Sequence, residues 1–293
     1  MRTRAGRSEQ AAGWLFTAPA ALLILGFGLV PIGWSFLLSF EHSDFVTPAT
    51  WVGLDNYRAL VHDQVFRDSV KRTLVYTVLF VPLSVGGALL LATLLNSRVR
   101  GIWAYRTAVF IPVAVSTVAT AIIFNWLLDP TYGVANYALD KVGVGPQGFF
   151  QDPDQALYAV VAMTVWGWVG FDVIVYLAGL QGIPRELYEA AAIDGAGRLT
   201  TFRSITLPML GPTTLFLVVW STINAMQVFD EIYVTTRGGP LHSTTVVVYY
   251  LYQQAFQFFA AGYATAIAYV VFSAILVLTA IQFWVGSRRV HYS

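Results

Sequence analysis

The sequence predicts an all-α polytopic membrane protein with six transmembrane helices. Three observations carry this. The chain of 293 residues is 57% hydrophobic and only 11% charged, too apolar for a water-soluble fold of that size. Its apolar residues fall into six stretches, at 13–40, 73–95, 107–128, 156–180, 213–231 and 261–286, each near the roughly 20 residues that a helix needs to cross a bilayer. None of the six contains Lys or Arg.

In chain order, Met1 to Gln10 carries Arg2, Arg4 and Arg7 ahead of the first apolar run. That run is far longer than the apolar region of a signal peptide, so it reads as a retained first span behind a cytoplasmic tail. Pro19 and Pro31 inside it predict a kink or tilt. The loop from Glu41 to Arg72 reads as short interfacial helices, with Trp51 and Tyr57 as interface anchors. The third span is placed at 107–128. The loop from Asp129 to Gln155 contains Gly133, Gly143, Gly145, Pro146 and Pro153 and is predicted irregular, with a short helix near 135–142. After the fifth span, Gly238-Gly239-Pro240 is a turn signal, and 246–258 reads as an amphipathic surface helix. With the N-terminus inside, the inside segments carry eleven basic residues and the outside segments six. The positive-inside rule therefore predicts both termini cytoplasmic.

The stretch 181–212, QGIPRELYEAAAIDGAGRLTTFRSITLPMLGP, is a compact helix–turn–helix between the fourth and fifth spans. Pro184 suits a first helical turn, and Glu186 and Glu189 lie near the positive end of the helix dipole. Arg185 and Glu189 are spaced to pair on one face. Gly195 and Gly197 are expected to end the first helix, and a second, from Arg198 to about Thr206, is expected to stop at Pro208. Glu189, Ala190 and Ala191, then Asp194, Gly195 and Ala196, with Phe202, Ile205, Leu207, Pro208 and Pro212, resemble the EAA loop of the membrane subunits of binding-protein-dependent ABC importers. Trp51-Val52-Gly53-Leu54-Asp55-Asn56-Tyr57, the third span with its following turn, Gly238-Gly239-Pro240 and the short basic tail Arg288-Arg289 resemble the carbohydrate-uptake branch, of maltose and glycerol-3-phosphate permease type.

The resemblance implies a type I importer permease fold, with residues 1–293 as a single transmembrane permease domain in a bacterial inner membrane. It implies three kinds of partner besides the lipid bilayer: a second homologous permease, two ATPase subunits, and an extracytoplasmic solute-binding protein. The 181–212 loop would dock on an ATPase, with Glu189, Ala190, Ala191, Asp194, Gly195 and Ala196 in the coupling element, and closure of the ATPases on ATP would open a midplane cavity outward. The implied cargo is a sugar or sugar-like solute; the alternative is glycerol-3-phosphate, a glycerophosphodiester or another small solute.

The residues themselves exclude several chemistries. There is no Gly-Lys-Ser/Thr sequence, since Lys71 follows Val70 and Lys141 follows Asp140. ATP must then be bound by partner subunits, and the chain itself is read as needing no cofactor. There is no cysteine, the four histidines are scattered without metal-ligand spacing, and no nucleophile motif appears, so neither a metal site nor catalysis is expected. A net charge of +1 gives no footprint for nucleic acid. A membrane-embedded enzyme would need a catalytic constellation, and a channel would have no use for an ATPase-docking loop.

One ionisable residue lies mid-span. Asp172 sits in the fourth stretch, with Trp168 and Tyr176 at i−4 and i+4 and Phe171 beside them. Intramembrane carboxylates usually face a cavity or a partner. Asn224 and Gln227 continue a polar stripe from Ser221 in the fifth span. Aromatic planes for sugar-ring faces, with amides and a carboxylate for hydroxyls, make Trp168, Phe171, Asp172, Tyr176, Asn224 and Gln227 the predicted solute site, and the family resemblance places solute between the same two helices. Without Lys or Arg in any span, an anionic cargo is disfavoured and a neutral sugar is expected.

Overall fold

The computed structural model describes residues 4–44, 46–97 and 100–287. Arg2, Arg98, Arg288 and Arg289, on which part of the orientation argument rests, lie outside the described residues. In chain order the helices are α1 (Arg4–Leu23), which passes through a π turn at Ile24–Leu29 into α2 (Val30–Leu38), then α3 (Asp55–His62), α4 (Gln64–Leu95), α5 (Ile102–Ala114), α6 (Thr117–Leu127) and α7 (Val134–Lys141). After these come α8 (Ala156–Gln181), α9 (Arg185–Ile193), α10 (Arg198–Thr201), α11 (Leu207–Met209), α12 (Gly211–Met226), α13 (Asp230–Val234), α14 (Val247–Tyr252) and α15 (Ala261–Ser287). Five segments are long and apolar enough to cross a membrane, and α5 with α6 makes a sixth bent by 102°. The predicted all-α, six-span class stands. The chain divides into two compact units, Met1–His62 with Leu251–Val270 and Asp63–Tyr250 with Val271–Ser293.

In the first unit, the only β-structure among the described residues is a two-stranded antiparallel ribbon, Glu41–His42 against Thr50–Trp51. Its connecting turn is held by Asp44, whose Oδ1 accepts from the Val46 N–H at 3.0 Å, the Thr47 N–H at 2.7 Å and the Thr47 hydroxyl at 2.9 Å. Those donors stabilise the carboxylate and lower its pKa to about 2. Trp51, expected as an interface anchor, stacks on Phe40 at 5.7 Å, and the Tyr57 hydroxyl bonds Ser39 Oγ at 2.7 Å. Asn56 Nδ2 donates to the carbonyls of Ser39 and Glu41. A Cβ at Gly262 would lie 1.8 Å from Glu41 O, so only glycine permits this approach of α15 to the ribbon.

The second unit is built on α4 and α8. Asp63 caps α4, its Oδ1 accepting from Val65 N at 2.8 Å and Phe66 N at 3.1 Å, a contribution of about 1 kcal/mol. At the other end, Arg106 Nη2 donates to Leu95 O at 2.8 Å, placing a cation where a helix leaves carbonyls unpaired and its dipole is negative. Ser69, Thr73 and Thr77 turn their hydroxyls back to the carbonyl four residues earlier, so these polar groups cross an apolar medium already satisfied. Backbones approach closely at glycine: a Cβ on Gly170 would fall 2.4 Å from Val109 O of α5, and one on Gly179 would fall 2.8 Å from Thr213 Oγ1 of α12, the small-residue packing that suits helices in lipid.

The third span is not one continuous helix. It breaks at Val115, which is extended, and restarts under Ser116, whose Oγ accepts from Ala119 N at 3.3 Å. Pro112 lacks the N–H that would continue the ladder, and a serine cap stabilises the restart. The fifth span is likewise interrupted: α12 ends at Met226, and Gln227 to Phe229 leave the helix before α13.

Candidate functional site

Both helix breaks open on the same space. One chamber of about 190 Å³ is lined by Val113, Val115, Ser116, Thr117, Thr120, Met163, Thr164, Gly167, Trp168 and Glu231. A second, of about 200 Å³, is lined by Tyr76, Phe80, Asn224, Gln227, Phe229 and Asp230, among others. The two share Thr117, Thr164, Trp168 and Glu231 and so adjoin. Irregular backbone at a span break is tolerated in a membrane where it is buried in protein or borders a polar cavity.

Three of the six predicted solute residues meet there. Trp168, half-buried on α8, borders both chambers. Asn224, near the end of α12, lines the second chamber and donates back to Trp220 O at 2.8 Å. Gln227 is exposed at the α12 break and lines the same chamber. Tyr76 and Phe80, stacked at 5.8 Å on α4, add an aromatic wall.

The other three are placed elsewhere. Asp172 is 2% exposed and accepts a 2.6 Å hydrogen bond from Ser84 of α4. Tyr176 is fully buried and its hydroxyl donates to Thr214 Oγ1 of α12 at 3.1 Å. Phe171 packs against Trp220 at 6.0 Å. None of the three lines either chamber. The i, i+4, i+8 spacing did put Trp168, Asp172 and Tyr176 on one face, but α4 and α12 cover the Asp172 and Tyr176 end of that face, and only the Trp168 end faces the space left by the broken helices.

Sequence reasoning missed Glu231. It is 8% exposed, lines both chambers, and its carboxylate interacts with Trp168. The signal was present: Asp230 and Glu231 stand at the end of an apolar segment that runs to Val234, and an intramembrane carboxylate is a functional-site marker wherever it occurs. The predicted fifth span, 213–231, holds both acids at its last two positions, where a carboxylate reads as a span-end group.

The 181–212 hairpin is the second notable surface. Pro184 stands one residue outside α9 as its cap, with ψ 134°, rather than within the first turn. The Arg185–Glu189 pair is not among the ion pairs found in the described residues, which are Arg58–Asp55 and Lys71–Asp68. α9 closes in a Schellman motif: Ala196 N donates to Ala191 O at 2.9 Å and Gly195 N to Ala192 O at 3.1 Å, with Gly195 at φ +72°. Gly197 does not end that helix; it starts α10 with extended backbone. Pro208 does not stop the second helix either. Residues 202–206 widen into a π turn and the helix runs on through α11, the wider turn relieving the clash of a proline ring with the carbonyl four residues back. The Tyr188 hydroxyl bonds Thr206 Oγ1 at 3.1 Å and ties the two arms together. Glu189, Ala190, Asp194 and Gly195 are exposed, Ala191 is buried and Ala196 half-buried. Ile193 (86% exposed) and Leu199 (61%) present apolar side chains at the hairpin tip.

Broken third and fifth spans around an internal cavity, with an exposed helical hairpin between the fourth and fifth, define a polytopic membrane transport protein. The chain belongs to the family of binding-protein-dependent transport system inner membrane components, whose pattern matches residues 84–291. It is 36% identical to the probable ABC transporter permease protein YesP of Bacillus subtilis (strain 168) over 296 residues, covering 99% of this chain and 95% of that protein. It is 37% identical to the lactose transport system permease protein LacF of Rhizobium radiobacter over 283 residues, 94% of each chain. The fold matches a chain of a bacterial alginate ABC transporter, crystallised in complex with an alginate pentasaccharide-bound periplasmic protein, with TM-score 0.85, 25% identity and 98% of both chains covered. The protein is a multi-pass membrane permease component of an ABC importer.

Proposed function

We propose that the chain is the permease subunit of an ATP-driven importer that carries a sugar or sugar-like solute into the cell, and that its two units act as one transmembrane permease domain over residues 1–293. The observation that carries this is the cavity where two interrupted helices meet, walled by Trp168, Tyr76 and Phe80 and fringed by Asn224, Gln227 and Glu231. Aromatic faces cover the apolar face of a pyranose ring, and the amides and carboxylate bond its hydroxyls. A relative that carries lactose and a neighbour that carries alginate support the sugar class. Lactose is uncharged, whereas alginate is an acidic polysaccharide.

Energy comes from outside the chain, because ATP is bound by partner subunits. The EAA hairpin docks on one of two ATPases through Glu189 to Ala196, with Ile193 and Leu199 supplying apolar contact. The Schellman turn and the Tyr188–Thr206 bond make the hairpin a stiff lever between docking surface and cavity. A second permease completes the cavity, and a periplasmic binding protein delivers solute to it. The hairpin and both termini face the cytoplasm.

Affinity purification from detergent extracts tests this reading. It should co-isolate a homologous permease and an ATP-binding subunit, and liposomes holding the complete complex should take up sugar only with ATP. Isolation of the chain alone, or uptake indifferent to ATP, would overturn it.

A further inference from the structure

We infer that Glu231 sets the charge selectivity of the cavity, admitting uncharged glycans and rejecting those that bear carboxylate, phosphate or sulfonate groups. The inference rests on the sugar reading above and narrows it. Among the described residues lining the two chambers there is no Lys or Arg. Two carboxylic acids line them instead, Asp230 at the exposed end and Glu231 in the wall common to both chambers. Proteins that hold anionic groups supply Arg or Lys forks to them, and nothing of that kind faces this space.

Glu231 is placed to discriminate. It stands in the first turn of α13, immediately after the break in the fifth span, and it is nine-tenths buried without an ion-pair partner among the described residues. The side chain beside it is Trp168, an aromatic plane. A hydroxyl-rich ring laid on Trp168 offers O–H donors to the carboxylate, and hydrogen bonds to a carboxylate are about twice as strong as neutral ones. An anionic substituent in the same place brings acceptor against acceptor and finds no Lys or Arg on these walls to pair it, in a water-poor space where an unpaired charge is costly to bury. Specificity here comes from a repulsive element as well as an attractive one.

The test is equilibrium binding, by saturation-transfer NMR, to the assembled permease–ATPase core in detergent. The solute-binding protein is omitted so that its own selectivity does not enter. The probes are neutral mono- and disaccharides, the matching uronates and a sugar phosphate. The wild-type core should bind neutral members at least tenfold more tightly than their uronates. Glu231→Gln should weaken the neutral sugars while leaving or improving the uronates, so that the ratio falls about tenfold. A merely structural defect would weaken both alike and leave the ratio unchanged, which would overturn the inference, as would wild-type binding of uronates as tight as that of neutral sugars. Asp230→Asn, at the exposed end, should move the ratio less. Failure of every glycan to bind the core would also overturn it, and uptake by the complete importer then decides the sugar reading separately: glycan uptake leaves that reading standing, and its absence removes both.

Discussion

The Ser84–Asp172 contact ties α4 to α8 and points to a packing role for Asp172. Both groups are buried between α4 and α8, at 0% and 2% exposure, and their oxygens are 2.6 Å apart, in the range of hydroxyl bonds to a carboxylate. Ser84→Ala strands Asp172 in the helix interface, and leaving a buried acceptor unpaired costs about 1–3 kcal/mol. Asp172→Ala strands nothing comparable, because the Ser84 hydroxyl can turn to a carbonyl one turn back, as Ser69, Thr73 and Thr77 already do. The serine variant should therefore be the more damaging, by about 1 kcal/mol, an unusual order for so small a side chain. Interhelical hydrogen bonds in membranes couple by about 0.6 kcal/mol on average and at most about 1.7. The short distance and deep burial place this one near the top, at about 1–1.5 kcal/mol. The assay is a double-mutant cycle on reversible unfolding in mixed micelles, run beside solute-binding measurements on the same variants. A coupling below about 0.3 kcal/mol, or an Asp172→Ala protein of full stability that has lost affinity for solute, would refute the assignment and return Asp172 to the solute site.

Three further outcomes are expected. Gly195 has φ +72° with open space around the position of a Cβ, so Gly195→Trp costs about 1–2 kcal/mol of backbone strain and blocks the docking face; uptake should be lost and ATPase co-purification weakened while the protein still inserts, and normal solute-stimulated ATP hydrolysis would contradict the coupling role. Gly197→Cys should resist an impermeant thiol reagent in intact cells and react once membranes are opened, with equal labelling in both contradicting the cytoplasmic orientation. Asp44 has its pKa lowered to about 2 by the Val46 and Thr47 donors, so its hold on the turn is fully present above the unfolded value near 3.8 and is lost as pH falls through about 2; amide exchange at Val46 and Thr47 should show no opening transition between pH 5 and 8, and a transition there would contradict the assignment.

The sequence by itself determined the class, the spans and the hairpin. These rest on local rules: apolar length against bilayer thickness, charge exclusion, helix caps, and glycine at a positive φ. The helix–turn–helix at 181–212 was legible for that reason, down to the Gly195 turn, while the roles of Gly197 and Pro208 were not, because a π turn widened the backbone where a regular helix was assumed. The tertiary structure decided what each polar group in the spans faces. Helical periodicity puts Trp168, Asp172 and Tyr176 on one face, but it cannot say that α4 covers Asp172 with Ser84, that α12 covers Tyr176 with Thr214, and that broken helices leave Trp168 uncovered. Glu231 meets Trp168 in the same way: it lies 63 residues from Trp168 in the chain, and the packing of the fifth span beside α8 brings the two to one cavity wall. Spacing along one helix fixes direction around that helix, and what occupies that direction is set by neighbours distant in sequence.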